Sequence, residues 1–288
     1  MPTAGLHCAS LASAAASRVA SLAGPSSDAA RMEAADAKAL TFDETVNLFR
    51  SSGGPHSTNP AGDFPVLLDH AMDMELLYWA SKQTGNAVYR DRATAHLLKL
   101  QQHYVRPDGS AAQLGYFNGA SGAFVGHDKK QGYSATSAWS RGQAWAIYAY
   151  AAAYRETGNA TLLAAAKKLA DFYIANAPPD GVPYWDFRSP DVPNTFRDTS
   201  AAAITASGLF ELARVAPLSG EKARYRAYAE QVLASLLSPA YLAEGSTSRG
   251  VLLHGAAHVP RKNALYDNSL IYGDYYLLEA MNRYAGVV

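Results

Sequence analysis

A short glycine-centred turn recurs four times along the chain, at Ala23-Gly24-Pro25, Thr84-Gly85-Asn86, Thr157-Gly158-Asn159 and Ser219-Gly220-Glu221, with the glycines 61, 73 and 62 residues apart. Glycine just past a helix end takes the left-handed conformation that stops the helix, and the polar residue after it caps the next one. Each turn therefore predicts a helix pair. The second helices of the pairs resemble one another: VYRDRATAHLLKLQQHYVRPDG (88–109), TLLAAAKKLADFYIANAPPDG (161–181) and ARYRAYAEQVLASLLSPAYL (223–242) share an apolar period of about 3.6. A helix pair cannot bury its apolar face alone, so copies must stack, as an open solenoid or as a closed α/α toroid.

Long Pro/Gly-rich connections decide between the two. They run from Arg106 to Lys130, from Pro178 to Phe196 and from Glu244 to Asp267, and lead into helices expected to start at Ser134–Ser137, Asp198–Ser200 and Asp267–Ser269. All three enter the helix that precedes a glycine turn, so they gather on one rim. Loops of this length in a compact domain usually carry function, and their unequal lengths suit a toroid better than a binding array. The expectation is an all-α, (α/α)6 toroid forming one domain over residues 1–288. The chain supplies four full helix pairs and a final helix, Asn268 to Tyr284, with residues 1–60 the least regular part.

Composition narrows the function. Lys plus Arg and Asp plus Glu are both 25, so no net field draws nucleic acid or an anionic membrane, and no stretch is long and apolar enough to span a bilayer. Cys8 is the sole cysteine, which excludes an internal disulfide and a Cys-based zinc site. The Ala- and Ser-rich start lacks a basic n-region and a compact Leu-like run, so the reading is a cytoplasmic globular protein. His254 and His258 are four apart, but Gly255 and Pro260 argue against a helix there, and no HExxH-like set is present; no metal is expected. The chain also lacks a G-x-S-x-G elbow, a Walker loop and a dinucleotide fingerprint, so no cofactor is expected.

Two stretches hold candidate chemistry. In QGYSATSAWSRGQAWAIYAYAAAYRETGN (131–159), Arg141 and Trp145 are four apart and share a helix face. Arginine offers a bidentate fork to a carboxylate and tryptophan an apolar plate, a pairing suited to an anionic sugar ring, although aromatics at helical spacing also serve as core. In DFPVLLDHAMDMELLYWASKQTG (63–85), Pro65 suits a helix first turn with Asp63 as its cap, and Asp69 and Asp73 then share a face. An acid among that many apolar neighbours would hold its proton to higher pH, as a proton donor must; the alternative is a first-turn carboxylate facing water. Elsewhere Asp198 is expected to cap a helix, and Arg197 with Asp186 to tie down a loop.

The strings SAWSRGQAWAIYAYAAAYRETGN, VPYWDF, RDTSAAAITASGL, LLHG and DNSLIYGDYYLLEA, spread over most of residues 60–284, resemble the unsaturated glucuronyl hydrolases, glycoside hydrolase family 88. Related rhamnogalacturonyl hydrolases tend to have RGNGW where this chain has Arg141-Gly-Gln-Ala-Trp145. The resemblance implies an (α/α)6 barrel, no cofactor, and an unsaturated uronic-acid oligosaccharide as partner. It implies hydration of the C4–C5 double bond of a non-reducing-end unsaturated uronic acid, followed by collapse of the hemiketal. Asp69 matches the general acid and base, and Gln131, Tyr133, Trp139, Arg141, Trp145 and Ser269 match or adjoin positions that hold the sugar and its carboxylate.

The chain departs from the family pattern in three places. Thr3 stands where an HDxGF-like motif has a second aspartate, Gln113 replaces a histidine, and Ala135 and Thr136 replace an acidic pair after QGY. They motivate an alternative, a catalytically impaired carbohydrate-binding homologue. A helical scaffold for a protein partner is a third class, which predicts a large exposed apolar patch.

Overall fold

The structure, a computed structural model, describes residues 25–51, 64–260 and 266–288. Its helices are α1 (Pro25–Ala39), α2 (Met74–Thr84), α3 (Ala87–Tyr104), α4 (Ser140–Thr157), α5 (Ala160–Asn176), α6 (Thr199–Val215), α7 (Ser219–Leu236) and α8 (Ile271–Tyr284). A 3-10 helix, Leu68–Asp73, leads directly into α2. The short strands are β1 (Phe42–Asp43), β2 (Leu48–Phe49), β3 (Phe64–Leu67), β4 (Leu114–Phe117) and β5 (Phe124–Asp128).

The helices form the two layers expected of an all-α toroid. The even-numbered helices pack in succession as the inner layer, α2 on α4, α4 on α6 and α6 on α8, while α3, α5 and α7 each lie behind the inner helix they follow, and α1 packs on α2. Inner helices have neighbours on most sides, which explains their small, apolar composition: α6 is buried from Thr199 through Ala213. Outer helices present one apolar stripe inward. Leu97, Leu100 and Tyr104 of α3, Leu162 and Leu169 of α5, and Val232 and Leu236 of α7 are fully buried between the layers. Each such leucine stabilises the fold by about 1.5–3 kcal/mol relative to exposure.

Two of the four glycine turns follow the sequence expectation in detail. Gly85 (φ 72°) and Gly158 (φ 66°) end α2 and α4 in the left-handed conformation. Asn86 and Asn159 then cap α3 and α5, accepting from Val88 N (3.0 Å) and Thr161 N (2.9 Å). The fourth differs, because Gly220 lies inside α7. Pro217 ends α6 instead, forcing Ala216 out of the helical region (ψ 138°). The first turn, at 23–25, straddles the edge of the described residues.

The connections into the inner helices carry the sheets. β1 and β2 form a hairpin, and β3, β4 and β5 an antiparallel sheet with Leu67 opposite Leu114 and Phe117 opposite Phe124. Pro65 is therefore in a strand, not a helix first turn, and Asp63 lies outside the described residues. The remaining rim loops are joined by isolated bridges, Trp139 with Asp186, Tyr184 with Arg197, and Gly255 with Asn268, and by Thr199 N donating to the carbonyl of His254 (3.1 Å). Long loops thus meet on one rim, where the inner helices begin.

Candidate functional site

The repeat gives the site its plan. Asp69, Arg141, Ser200 and Tyr272 are each the second residue of their element, in the 3-10 helix, α4, α6 and α8 respectively. Because those elements start at the same rim, the four side chains converge there. Arg141 Nη1 lies 3.4 Å from Ser200 Oγ, and the guanidinium carbon sits 5.3 Å from the centre of the Tyr272 ring.

Asp69 holds a carboxyl oxygen, Oδ2, that is buried and has no hydrogen-bond partner among the described residues. Burial pushes its carboxyl above the ordinary aspartate range and outweighs the opposing pull of Arg141, its own backbone N–H, His70 and Lys130. Asp73, four residues on, behaves oppositely. Although burial pushes it up, hydrogen bonds and charge from His70 and Lys38 hold it below the ordinary range, with Lys38 Nζ 2.9 Å and His70 Nδ1 3.0 Å from its Oδ2. Of the two acids, Asp69 is the one with its carboxyl pushed upward and one oxygen left without a hydrogen bond among the described residues.

Arg141 is 2% exposed. Its Nη1 donates to Asp198 Oδ2 (2.7 Å) and to the Ala256 carbonyl (2.7 Å), and its Nη2 to the Ala257 carbonyl (2.6 Å). The open fork suggested by the sequence is thus already engaged. Its face covers the buried Trp139 ring at 4.6 Å, and that ring in turn lies so close over Gly142 that an added Cβ there would come within 2.7 Å of it. Asp198 caps α6 as expected, accepting from Ser200 N (3.1 Å), and so spans the helix start and the arginine.

Trp145 is partly exposed and meets Tyr276 edge-on (5.3 Å) and Tyr272 at 6.3 Å. Tyr272 was not singled out by sequence reasoning; the available signal was its place in the helix repeat, equivalent to that of Arg141. Its phenol is pushed up by burial, with Asp198 and Asp69 adding to the shift and Arg141 opposing it.

The QGY segment lies across the same rim. Gln131 Oε1 accepts from Gln113 Nε2 (2.6 Å), and His258 Nε2 lies 3.1 Å from the Lys130 carbonyl. Tyr133 is 43% exposed beside Lys129, and its N–H donates to Asp186 Oδ2 (2.9 Å). Ser134 and Ser137 do not cap α4. They bond each other, Ser134 N to Ser137 Oγ (2.9 Å) and Ser137 N to Ser134 Oγ (3.0 Å), while the free N–H of Ser140 finds the Trp185 carbonyl (3.1 Å). Asp186 binds this turn through Ser137 Oγ (2.7 Å) and not Arg197, which pairs with Asp180 (3.0 Å). The structure therefore brings Asp69, Trp139, Arg141 and Trp145 into one cluster, with Gln131 on the adjoining loop. Ser269 stands apart at the entry to α8, its hydroxyl 2.6 Å from Ser248 Oγ. Thr3 lies outside the described residues.

Comparisons with known proteins bear on this arrangement. No family model matches the chain. The chain is 39% identical over 255 residues to an unsaturated glucuronyl hydrolase of Formosa agariphila, a match covering 88% of this chain and 62% of that protein. Among solved structures, the unsaturated glucuronyl hydrolase of Bacillus sp. GL1, responsible for the degradation of glycosaminoglycan, superposes with a TM-score of 0.83 at 35% identity, covering 90% of this chain and 68% of that one. An aspartate-to-asparagine variant of such an enzyme with dGlcA-Glc-Rha-Glc superposes equally well, with a TM-score of 0.83, 36% identity and the same 90% and 68% coverage. This chain thus spans about three fifths of the length of the first curated relative.

Proposed function

The chain belongs to the unsaturated glucuronyl hydrolase family, and on that premise we propose that it is a glycoside hydrolase acting on the non-reducing-end 4,5-unsaturated uronic acid of oligosaccharides. The observation that carries the reading is the buried, unpartnered Oδ2 of Asp69 on the rim where the inner helices start. A carboxyl in that state retains its proton to higher pH and has an oxygen that a substrate can meet.

In the proposed reaction the Asp69 carboxyl gives its proton to C4 as the double-bond electrons form the new C–H bond. Water adds to the cationic C5, and its proton returns to the Asp69 carboxylate, leaving the enzyme unchanged and a hydroxyl at C5. The hemiketal so formed opens, and its collapse releases the next sugar. Water is the only co-reactant. Trp145, partly exposed and braced by Tyr276, offers the sugar its plate. Arg141 supplies positive charge beside the acid, held rigid by Asp198, while Trp139 supports it from beneath. Gln131 and Tyr133 border the site on the loop, and Ser269, at the entry to α8, is a further substrate-binding candidate.

No helix of the described residues is long and apolar enough to cross a membrane. The reading extends to a cytoplasmic location, supported by a single cysteine in 288 residues.

Incubation with an unsaturated glucuronyl disaccharide tests the reading. Loss of the double-bond absorbance, abolished in Asp69→Asn, is expected; an undiminished signal with folded wild-type protein sinks it.

A further inference from the structure

Gln113 stands at a junction that the reaction as described does not use. Its side-chain Oε1 accepts from three consecutive backbone amides, Lys130 N (3.0 Å), Gln131 N (2.9 Å) and Gly132 N (2.9 Å). Three convergent donors fix the orientation of the amide, so Nε2 points to Gln131 Oε1 at 2.6 Å. The Gln131 carboxamide is thereby turned with its own –NH2 away from Gln113. The next amide, Tyr133 N, is taken by Asp186. Consecutive N–H groups turned inward form a concavity that ordinarily collects anions. Here a neutral oxygen from within the chain fills it.

The backbone of the same residue reaches the acid. The Gln113 carbonyl accepts from Leu68 N (2.9 Å), the first residue of the 3-10 helix that presents Asp69. The segment leading into β4 is tied before and after it: Ala111 N donates to Gln143 Oε1 (2.7 Å), Ala112 N to the Tyr104 carbonyl (2.9 Å), and Leu114 pairs with Leu67. Gln113 is itself 6% exposed. Backbone and side chain thus hold the 3-10 helix and the Lys130–Gly132 loop from one rigid point.

We propose that Gln113 is a positioning residue that sets the distance between Gln131 and Asp69, its backbone holding the acid and its side-chain oxygen holding the Lys130–Gly132 loop. The inference rests on the hydrolase reading for its kinetic consequences, while the loop itself can be followed without turnover. A methionine matches the volume of glutamine but accepts hydrogen bonds poorly. A glutamate keeps the acceptor oxygen and loses the donor to Gln131.

Hydrogen exchange with peptide-level mass spectrometry over residues 129–134 reads the loop directly. In the wild type, the three amides exchange at least about a hundredfold slower than in a free peptide. In Gln113→Met that protection falls by about tenfold or more, and in Gln113→Glu it is retained. With the unsaturated disaccharide, Gln113→Met raises KM about tenfold with kcat within about threefold, because Leu68 and Asp69 stay anchored by the backbone. Gln113→Glu raises KM by less, through Gln131 alone. Unprotected amides in the wild type, or wild-type exchange in Gln113→Met, overturn the proposal, as does a loss confined to kcat. A wild type that protects the loop but does not turn over the disaccharide would instead break the hydrolase reading and leave the loop assignment standing.

Discussion

From its middle onward α4 delivers Tyr148 and Arg155 into a set of charges that satisfy one another; near its N-terminus it delivers Arg141 and Trp145 beside a carboxyl oxygen that has no hydrogen-bond partner among the described residues. Arg155 meets Glu75 (2.6 Å), Glu156 (2.8 Å) and Glu211 (3.3 Å), and the Tyr148 hydroxyl lies between Glu75 (3.2 Å) and Glu279 (3.1 Å) with Arg283 donating to it at 3.0 Å. Arg141 is equally well paired, but the acid next to it is not. Buried polar groups are nearly always satisfied; of the three buried carboxylate oxygens among the described residues that lack a hydrogen bond, those of Glu156 and Glu221 lie against Lys82 and Lys167, and only that of Asp69 has no cation in ion-pair contact. The satisfied end fixes how the inner helices pack, and on the proposed reading the unsatisfied oxygen is the one that meets the substrate.

The largest effect expected from breaking this contrast is at Asp69. Asp69→Asn should lower turnover of the unsaturated disaccharide by about 10²- to 10⁴-fold, the usual worth of a general acid or base, with little loss in melting temperature. Removing the neighbouring charge comes next. Arg141→Met leaves the Asp198 carboxylate buried without its cation and should destabilise the fold by about 3–5 kcal/mol, read by chemical denaturation. At the far end, Arg155→Met should cost about 1.5–3 kcal/mol in the same measurement while kcat and KM for the folded fraction stay unchanged. Activity loss there would break the division between the two ends. The smallest effect is at a helix cap, where Asn159→Ala should cost about 1 kcal/mol without touching kinetics.

Asp69 and Asp73 sharpen the contrast through pH. The folded-state value of Asp69 is raised, so its contribution to stability is full below the unfolded aspartate value of about 3.9 and is lost as pH rises through the folded value. The folded-state value of Asp73 is lowered, so its contribution is present above the unfolded value and is lost as pH falls through the folded one. Asp69→Asn should therefore flatten the decline of stability on the alkaline side of that window, and Asp73→Asn the decline on the acid side.

Much of this plan was legible in the chain. Gly85 and Gly158, with Asn86 and Asn159 behind them, announce helix pairs because a left-handed C-terminus and an N-cap are local properties. The gathering of long loops on one rim followed from the same repeat, whereas the convergence of Asp69 with Arg141 became visible only in the structure. Gly220 misled because Pro217, three residues earlier, is the stronger breaker. Pro65 misled because the strand Phe64–Leu67 depends on a partner some fifty residues away, Leu114–Phe117, which no local signal announces. The engagement of Arg141 by the Ala256 and Ala257 carbonyls was hidden for the same reason: it joins α4 to loop residues 115 and 116 positions further along the chain.

All of this depends on the Asp69 carboxyl being a buried acid with its Oδ2 unpartnered, and its titration tests that most directly. In protein carrying ¹³C at the aspartate side-chain carboxyls, the resonance absent from Asp69→Asn should titrate above the ordinary aspartate value of about 3.9, while that absent from Asp73→Asn titrates below it. An Asp69 resonance that titrates at or below the ordinary value would contradict the account.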